Sequence, residues 1–312
     1  MKILAVDISS LFSQFWEVDN GRGRDFDKPR TSTVSAVRRF REGHDRVAIC
    51  CDSGKSFRAE IWPSYKANRP DRGEAYRNQL RLTIEALAAE GCSVFRAPRY
   101  GGEMYAEADD VIGSLCAWAY ESGHAVTILS SDKDLMQLVS DTVSLVRPLD
   151  KEHTTYGPAE VKAKLGIDPH LVPHWLALAG DAADNYKPYP GIGDKRAIDL
   201  IKRYGHALGV FSDVVNMADL AQVLGAKLAE SFVAAGPEPG RKALEVATIV
   251  RDLPIDFETL AGEPVFQKVI PMDTQIEATP EAPPQPAPPV PQVALATIPN
   301  RQQIDRSSPW AL

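Results

Sequence analysis

Nine carboxylates fall in five short clusters, and their spacing constrains the fold of this chain more than any other feature. They are Asp7 after KILAV, Asp52 at the end of VAICCD, Glu107, Asp109 and Asp110 in EADDVIG, Asp132 and Asp134 in ILSSDKD, and Asp181 and Asp184 in LAGDAADN. Three clusters directly follow short apolar runs that read as buried strands. Carboxylates at the C-terminal ends of parallel strands sit where an open α/β sheet gathers its ligands. Converging there without a compensating charge, they would repel one another and their pKa values would rise. Oxygen-rich clusters lacking His and Cys suit hard divalent cations such as Mg²⁺ or Mn²⁺ rather than zinc. The pattern points to a multi-metal phosphoryl-transfer site.

The apolar runs define the fold class. ILAVDI at 3–8, VAICCD at 47–52, CSVFRA at 92–97, VTILSS at 126–131 and VSLVR at 143–147 read as strands. Residues 77–90 and 107–122 carry apolar side chains at helical spacing. The alternation predicts an α/β core over residues 1–157, a parallel sheet with helices on both faces. From 158 to about 270 the apolar spacing is helical throughout, which predicts a second, α-helical region. After that the composition shifts to PEAPPQPAPPVPQ, too proline-dense for packed helix or sheet, so residues 271–312 are expected to form a disordered tail. Trp310 and Leu312 near its end have two readings: a docking element for another replication protein, or part of a solubilising extension.

A formal net charge of −7 over 312 residues would argue against a nucleic-acid ligand, were the charges mixed. They are segregated. Between Ser53 and Arg81 stand Lys55, Arg58, Lys66, Arg69, Arg72, Arg77 and Arg81 against Glu60, Asp71 and Glu74. A basic stretch beside an acidic site suits a metal-dependent nuclease, whose bases hold the phosphate backbone. Cys50, Cys51, Cys92 and Cys116 lack CxxC spacing and read as buried thiols. The N-terminus enters a strand without a secretory apolar region, and no run reaches membrane-spanning length, so a cytoplasmic protein is expected.

Each acidic cluster alone has an ordinary reading. Asp7 or Asp52 could cap a helix, EADD could complement a helix dipole, and Asp181 and Asp184 could lie on one face of a helical turn. Five clusters, four of them near strand ends or helix starts of one sheet-like half, are harder to explain as unrelated caps. A second signal is PYPGIGDKRAIDLIKRYG at 188–205. Pro190, Gly191 and Gly193 suggest a tight turn, and the helix after it would present Lys195, Arg196, Lys202 and Arg203 outward. Exposed backbone N–H groups at its start can hold a phosphate without reading bases. Gly54-Lys55-Ser56 is not a P-loop, because Ile49 stands where that motif needs its first glycine.

Together, LAVDISSL, CDSGKSFRAEIWPSYKANRP, EADDVIGSL, ILSSDKDLMQLV, LAGDAADN and PGIGDKRA make residues 3–205 resemble the 5′-nuclease family. That family includes the N-terminal nuclease domain of bacterial DNA polymerase I, phage 5′-exonucleases and flap endonucleases. The resemblance implies a PIN-like nuclease core and a helix–three-turn–helix DNA clamp at about 175–205. It implies a stand-alone 5′-3′ exonuclease or flap endonuclease acting on DNA 5′ ends and flaps, with RNA primers as a further substrate. Non-catalytic DNA-binding accessory proteins and PIN-type ribonucleases are the alternatives. By the same resemblance all nine acids are metal ligands. Asp7, Asp52, Glu107, Asp109 and Asp110 would hold the tighter site, with Asp109 and Asp110 central to catalysis. Asp132, Asp134, Asp181 and Asp184 would hold a second ion, partly through water. The arch, at about 53–81, would thread or clamp the 5′ strand. Lys66 and Arg69 would act on the scissile phosphate, while Arg58, Tyr65, Gly191, Gly193, Lys195 and Arg196 would contact DNA. In the family the clamp turn can also bind a monovalent cation such as K⁺ through backbone carbonyls. This chain departs from the pattern at Ile8, Gln14 and the turn Lys187-Pro188-Tyr189-Pro190-Gly191, which lacks one family glycine.

Overall fold

The computed structural model describes residues 1–20, 27–148, 154–212 and 217–261. Six strands form one sheet: β1 (Lys2–Asp7), β2 (Arg46–Cys51), β3 (Ser93–Arg96), β4 (Ala125–Leu129), β5 (Val143–Val146) and β6 (Thr155–Tyr156). Their order is β3-β2-β1-β4-β5-β6, with the first five parallel and β6 antiparallel to β5. The two-residue β6 was not readable as a strand, being too short for a periodic pattern.

The continuous apolar run of β1 reflects cover on both sides. Ile3 and Ala5 join one core with Ala48, Ile112, Leu115 and Ile128. Leu4 and Val6 join the opposite core with Leu11, Val34, Val37, Ile49, Ile84 and Leu87. Full burial of each such side chain stabilises by roughly 1.5–3 kcal/mol. The helices supplying the second core are α1 (Ile8–Asn20), α2 (Lys28–Phe40) and α4 (Gly73–Ala89), with the short α3 (Arg58–Ile61) between; α5 (Ala108–Glu121) covers the other face.

The chain runs outward from β1 to β2 and β3, then returns to place β4 on the other side of β1. That reversal opens a crevice at the C-terminal ends of β1 and β4, the usual ligand position in such sheets.

The second region is helical: α6 (Pro158–Leu165), α7 (Val172–Ala179), α8 (Asp194–Tyr204), α9 (Ala207–Ser212), α10 (Met217–Leu224), α11 (Ala226–Ala235) and α12 (Glu238–Ala247). In α8 the spacing buries Ala197, Leu200 and Ile201 and leaves Lys195, Arg196, Lys202 and Arg203 outside the core. Beyond α12 the chain returns to the sheet half as a strap across α5. Val250 N–H donates to Asp110 Oδ1 at 2.9 Å and Leu253 N–H to Ser114 Oγ at 3.0 Å. Gly113 permits this crossing, since a Cβ there would lie 2.6 Å from the Val250 carbonyl oxygen.

All four cysteines are buried free thiols. Among the described residues no helix is long and apolar enough to cross a membrane. The Pro-rich tail, with Trp310 and Leu312, lies outside the described residues.

Candidate active site

Asp7 is the last residue of β1, where its Oδ1 accepts the Ser10 N–H at 3.0 Å and its Oδ2 accepts from Ser130 Oγ at 2.9 Å. Asp52 follows β2, stays exposed, and accepts the Ala108 N–H at 2.9 Å, tying the strand end to the start of α5. Asp109 lies in the first turn of α5, and Asp132 follows β4. These four, with Glu107, Lys66 and Arg69, line one cleft of about 720 Å³ over the ends of β1, β2 and β4.

The electrostatics are those of carboxylates held in one another's field. Burial, then Asp52 and Asp132, pushes the Asp7 carboxyl up to about 7. Burial, Asp132 and Asp7 raise Asp109 well above the carboxylate range; burial, Asp132 and Asp181 do the same for Asp134. Among the described residues no three acidic side chains close into a compact metal-holding group; Asp7, Asp52, Glu107, Asp109 and Asp132 stand around the cleft instead. Asp134 Oδ1 is buried with no hydrogen-bond partner. An all-oxygen donor set, raised pKa values and an orphaned buried oxygen fit a hard divalent cation.

Asp181 and Asp184 do not lie on a helical turn. They occupy the loop after α7, where Asp181 and Tyr186 exchange backbone hydrogen bonds at 2.9 and 3.0 Å. Asp181 Oδ2 pairs with Lys133 Nζ at 2.9 Å, and Asp184 Oδ1 pairs with Arg69 at 2.6 Å. Lys66 joins this loop to the sheet half. Its N–H donates to the Asp184 carbonyl at 2.8 Å, and its Nζ lies 2.6 Å from Glu107 Oε1 and 3.8 Å from Asp184 Oδ2. Burial works to lower the Lys66 pKa, but Glu107 and Asp184 raise it above the usual lysine value. Although burial raises the Glu107 carboxyl, Lys66 and Arg58 bring it down to about 2. Among the described non-glycine residues, Lys66 (φ 55°) and Asn185 (φ 59°) alone have positive φ. Both sit at this junction, and such backbone costs on the order of 1 kcal/mol or more unless its surroundings impose it.

Three expected assignments need correction. Asp110 faces away from the cleft and is fully buried. Its Oδ1 accepts from Arg58 at 2.7 Å and from the Val250 N–H, and its Oδ2 from Arg58 at 2.8 Å and the Glu107 N–H. With both oxygens doubly engaged, Asp110 ties α3 and the strap to α5 and does not line the cleft. Arg58, expected at DNA, is 2% exposed. Its guanidinium also contacts Glu107 at 3.3 Å and the carbonyls of Val246 and Thr248 at 2.7 and 3.0 Å, locking α3 and the α12 strap onto α5. Tyr65, also expected at DNA, is buried with its hydroxyl donating to Glu107 at 2.9 Å.

At the clamp turn Gly191 has φ +88°, a conformation that favours glycine, whereas Gly193 is extended with open space around it. Lys195 and Arg196 are exposed on the first turn of α8, with Arg196 also donating to the Gly191 carbonyl at 3.0 Å. The Ala179 and Ile192 carbonyls, on either side of the clamp turn, accept from the Lys187 ammonium. Two contributors had no assigned role in the sequence reading: Ser130, which orients Asp7, and Lys133, which pairs with Asp181. Both lie inside ILSSDKD, where the lysine between two aspartates was the available signal.

Comparison with known proteins identifies the family and the fold. Residues 2–166 match the family model "5′-3′ exonuclease, N-terminal resolvase-like domain", and residues 167–265 match "5′-3′ exonuclease, C-terminal SAM fold". DNA polymerase I of Mycobacterium tuberculosis is 32% identical over 218 residues, 69% of this chain and 22% of that protein. A 5′-3′ exonuclease of Aquifex aeolicus is 36% identical over 159 residues, 51% of this chain and 52% of that protein. The chain thus spans a quarter or less of these polymerases and about half of the exonuclease. Among solved structures, bacteriophage T5 D15 flap endonuclease in complex with DNA and metal ions superposes with a TM-score of 0.59 at 20% identity, over 79% of this chain and 99% of that one. The catalytic core of Rad2 with DNA gives 0.52 at 18% identity, over 74% and 72%. These likenesses establish the fold, and the two family models, which together run from residue 2 to 265, establish that the chain belongs to the 5′-3′ exonuclease family.

Proposed function

We propose that this protein is a divalent-metal-dependent 5′-3′ exonuclease and flap endonuclease that hydrolyses phosphodiesters at DNA 5′ ends and 5′-flap junctions. One observation carries the reading: Asp7, Asp52, Glu107, Asp109 and Asp132 line a single cleft at the sheet's switch point, beside Lys66 and Arg69. The similar T5 D15 protein, solved with metal ions and in complex with DNA, supports it. Mg²⁺ or Mn²⁺ would be held by Asp7, Asp52, Glu107 and Asp109 at one site and by Asp132, Asp134, Asp181 and Asp184 at a second. When bound, such ions activate water and neutralise charge on the leaving oxygen.

The chain's own residues supply the rest. Lys66 holds its proton firmly and can transfer its ion pair from Glu107 to an incoming phosphate. Arg69, half exposed on the same rim, can exchange Asp184 for a second phosphate oxygen. Ser130 and the Ser10 N–H fix the Asp7 carboxylate so that its orientation does not depend on substrate. On the helical side, the start of α8 with Gly193, Lys195 and Arg196 would grip duplex phosphates without reading sequence.

The test is cleavage of a labelled 5′-flap DNA in Mg²⁺ and then in EDTA, with a blunt duplex and a 5′-flap RNA alongside. Cleavage near the junction that EDTA abolishes is the expected result. Binding without cleavage in any metal would identify an accessory protein, and cleavage of RNA alone a ribonuclease.

A further inference from the structure

Lys187 stands at an unusual place for a lysine. Its ammonium donates to two main-chain oxygens, the Ala179 carbonyl in the last turn of α7 and the Ile192 carbonyl in the turn before α8, the latter at 2.5 Å. The residue is solvent-exposed, yet its ammonium is held by main-chain oxygens, and partial burial lowers its pKa from the usual lysine value. Helix C-termini carry partial negative charge on their unsatisfied carbonyls, so a cation there is favourable. The neighbouring acceptors are also used. Gly191 O accepts from Arg196, Tyr189 O from the Ile192 N–H, and Gly193 O from the Ala197 N–H. Three carbonyls around the turn joining α7 to α8, those of Ala179, Gly191 and Ile192, therefore accept from side-chain cations of this chain, and a free cation beside them would meet like-charge repulsion.

We infer that Lys187 is a built-in monovalent cation of the clamp turn, fixing the carbonyls of Ala179 and Ile192 as a bound K⁺ otherwise would and freeing duplex binding from K⁺. Lys187 is thereby a positioning residue: it sets the turn that aims the α8 N–H groups, and it need not touch DNA itself. The inference rests on the proposed DNA-binding function, so its test carries one arm that uses no DNA.

The full-length protein and the variants Lys187→Met and Lys187→Arg are compared in KCl, NaCl and LiCl at one ionic strength. Affinity for a short duplex is read by anisotropy in Ca²⁺, and melting temperature is read on the free protein. The natural protein should bind equally in the three salts. Lys187→Met should bind about tenfold more weakly in NaCl and LiCl, the loss of one charge-assisted pair of hydrogen bonds, and recover in KCl. Its melting temperature should show the same K⁺-specific recovery, and Lys187→Arg, which keeps donors and charge, should follow the natural protein. A K⁺ preference in the natural protein overturns the inference. So does a loss in Lys187→Met that is equal in all salts, which would make Lys187 an ordinary phosphate contact, or no loss in any salt. Should none of the proteins bind DNA, the proposed function fails, and the melting data alone decide the role of Lys187.

Discussion

Substituting Asp7 by Asn should stabilise the metal-free protein at neutral pH while destroying its response to Mg²⁺. Asp7 is 5% exposed and its carboxyl is raised from 3.8 to about 7 by burial, Asp52 and Asp132. A raised carboxyl means that the folded state holds the proton over a range where the unfolded chain has released it. Stability is therefore intact below pH 3.8, falls as pH climbs through the window to about 7, and is constant above it. At about 1.36 kcal/mol per pKa unit, the ionised Asp7 costs at most about 4 kcal/mol. Asn keeps an acceptor for the Ser10 N–H, and the Ser130 hydroxyl can rotate to accept from the new amide. Exchanging two charge-assisted hydrogen bonds for neutral ones returns about 1–2 kcal/mol. The net gain at pH 8 in EDTA is about 2 kcal/mol, or roughly 4–8 °C in melting temperature for a protein of this size. At pH 4 the difference should vanish. Millimolar Mg²⁺ should raise the natural protein's melting temperature and leave Asp7→Asn nearly unmoved, because a cation stabilises only where it binds. Calorimetry at pH 4, 6 and 8, with Mg²⁺ or EDTA, checks all three points. A variant less stable than the natural protein in EDTA at pH 8, or a difference independent of pH, would refute the reasoning.

Asp109→Asn should lower flap cleavage by about two orders of magnitude or more with affinity in Ca²⁺ nearly unchanged, and its metal-free melting temperature at neutral pH should rise as that of Asp7→Asn does, because burial, Asp132 and Asp7 raise this carboxyl too. Asp110→Asn should instead lose about 3 kcal/mol in denaturant titration, because it strands the Arg58 charge in the core. Arg58→Ala should destabilise by about 3–5 kcal/mol, and any loss of DNA affinity should track the unfolded fraction rather than the salt slope. Lys66→Ala should slow single-turnover cleavage by about 10²–10³ while duplex affinity changes by under about twofold. Lys195→Ala should show the reverse: weaker duplex binding, a salt slope shallower by about one, and an unaltered single-turnover rate at saturation. A shared profile for Lys66→Ala and Lys195→Ala would end the division between reacting and clamping bases.

What could be read from the chain and what could not divide along physical lines. Asp7 and Asp52 were legible because a buried strand announces itself as an apolar run and the residue after it must face the end of the sheet. Asp109 and Asp110 were not separable by such logic. On a helix adjacent residues differ by about 100° in direction, so one can enter the cleft while the other turns under it. Which does which was settled by Arg58, whose guanidinium lies 2.7 Å from Asp110 although the two are 52 positions apart. Tyr65 and Lys66 pose the same difficulty in a turn, where both side chains reach Glu107, the buried tyrosine at Oε2 and the lysine at Oε1. Basic residues were read collectively as a phosphate-facing stretch, but Arg58 had a buried anion to neutralise, and charge alone does not disclose its partner.

Lys187 exposes a further limit. Its acceptors are carbonyl oxygens of Ala179 and Ile192, groups every residue possesses and no side-chain pattern marks. In sequence it was visible only as a departure, a lysine opening a turn where the resemblance led one to expect a different spacing of proline and glycine. The departure and the contact belong together: a turn poorer in glycine has fewer ways to orient its carbonyls toward a mobile cation, whereas a tethered ammonium reaches them with three donors from one fixed stem. The tether also sets the cost of the substitution. An ammonium on a side chain need not be recruited from solution, so the order it imposes on the α7–α8 turn persists at any K⁺ concentration. A clamp organised in this way should respond to ionic strength through its DNA phosphates alone. The measurable consequence is a single salt line: for the natural protein, log affinity against log salt should superimpose for KCl and NaCl across the full titration.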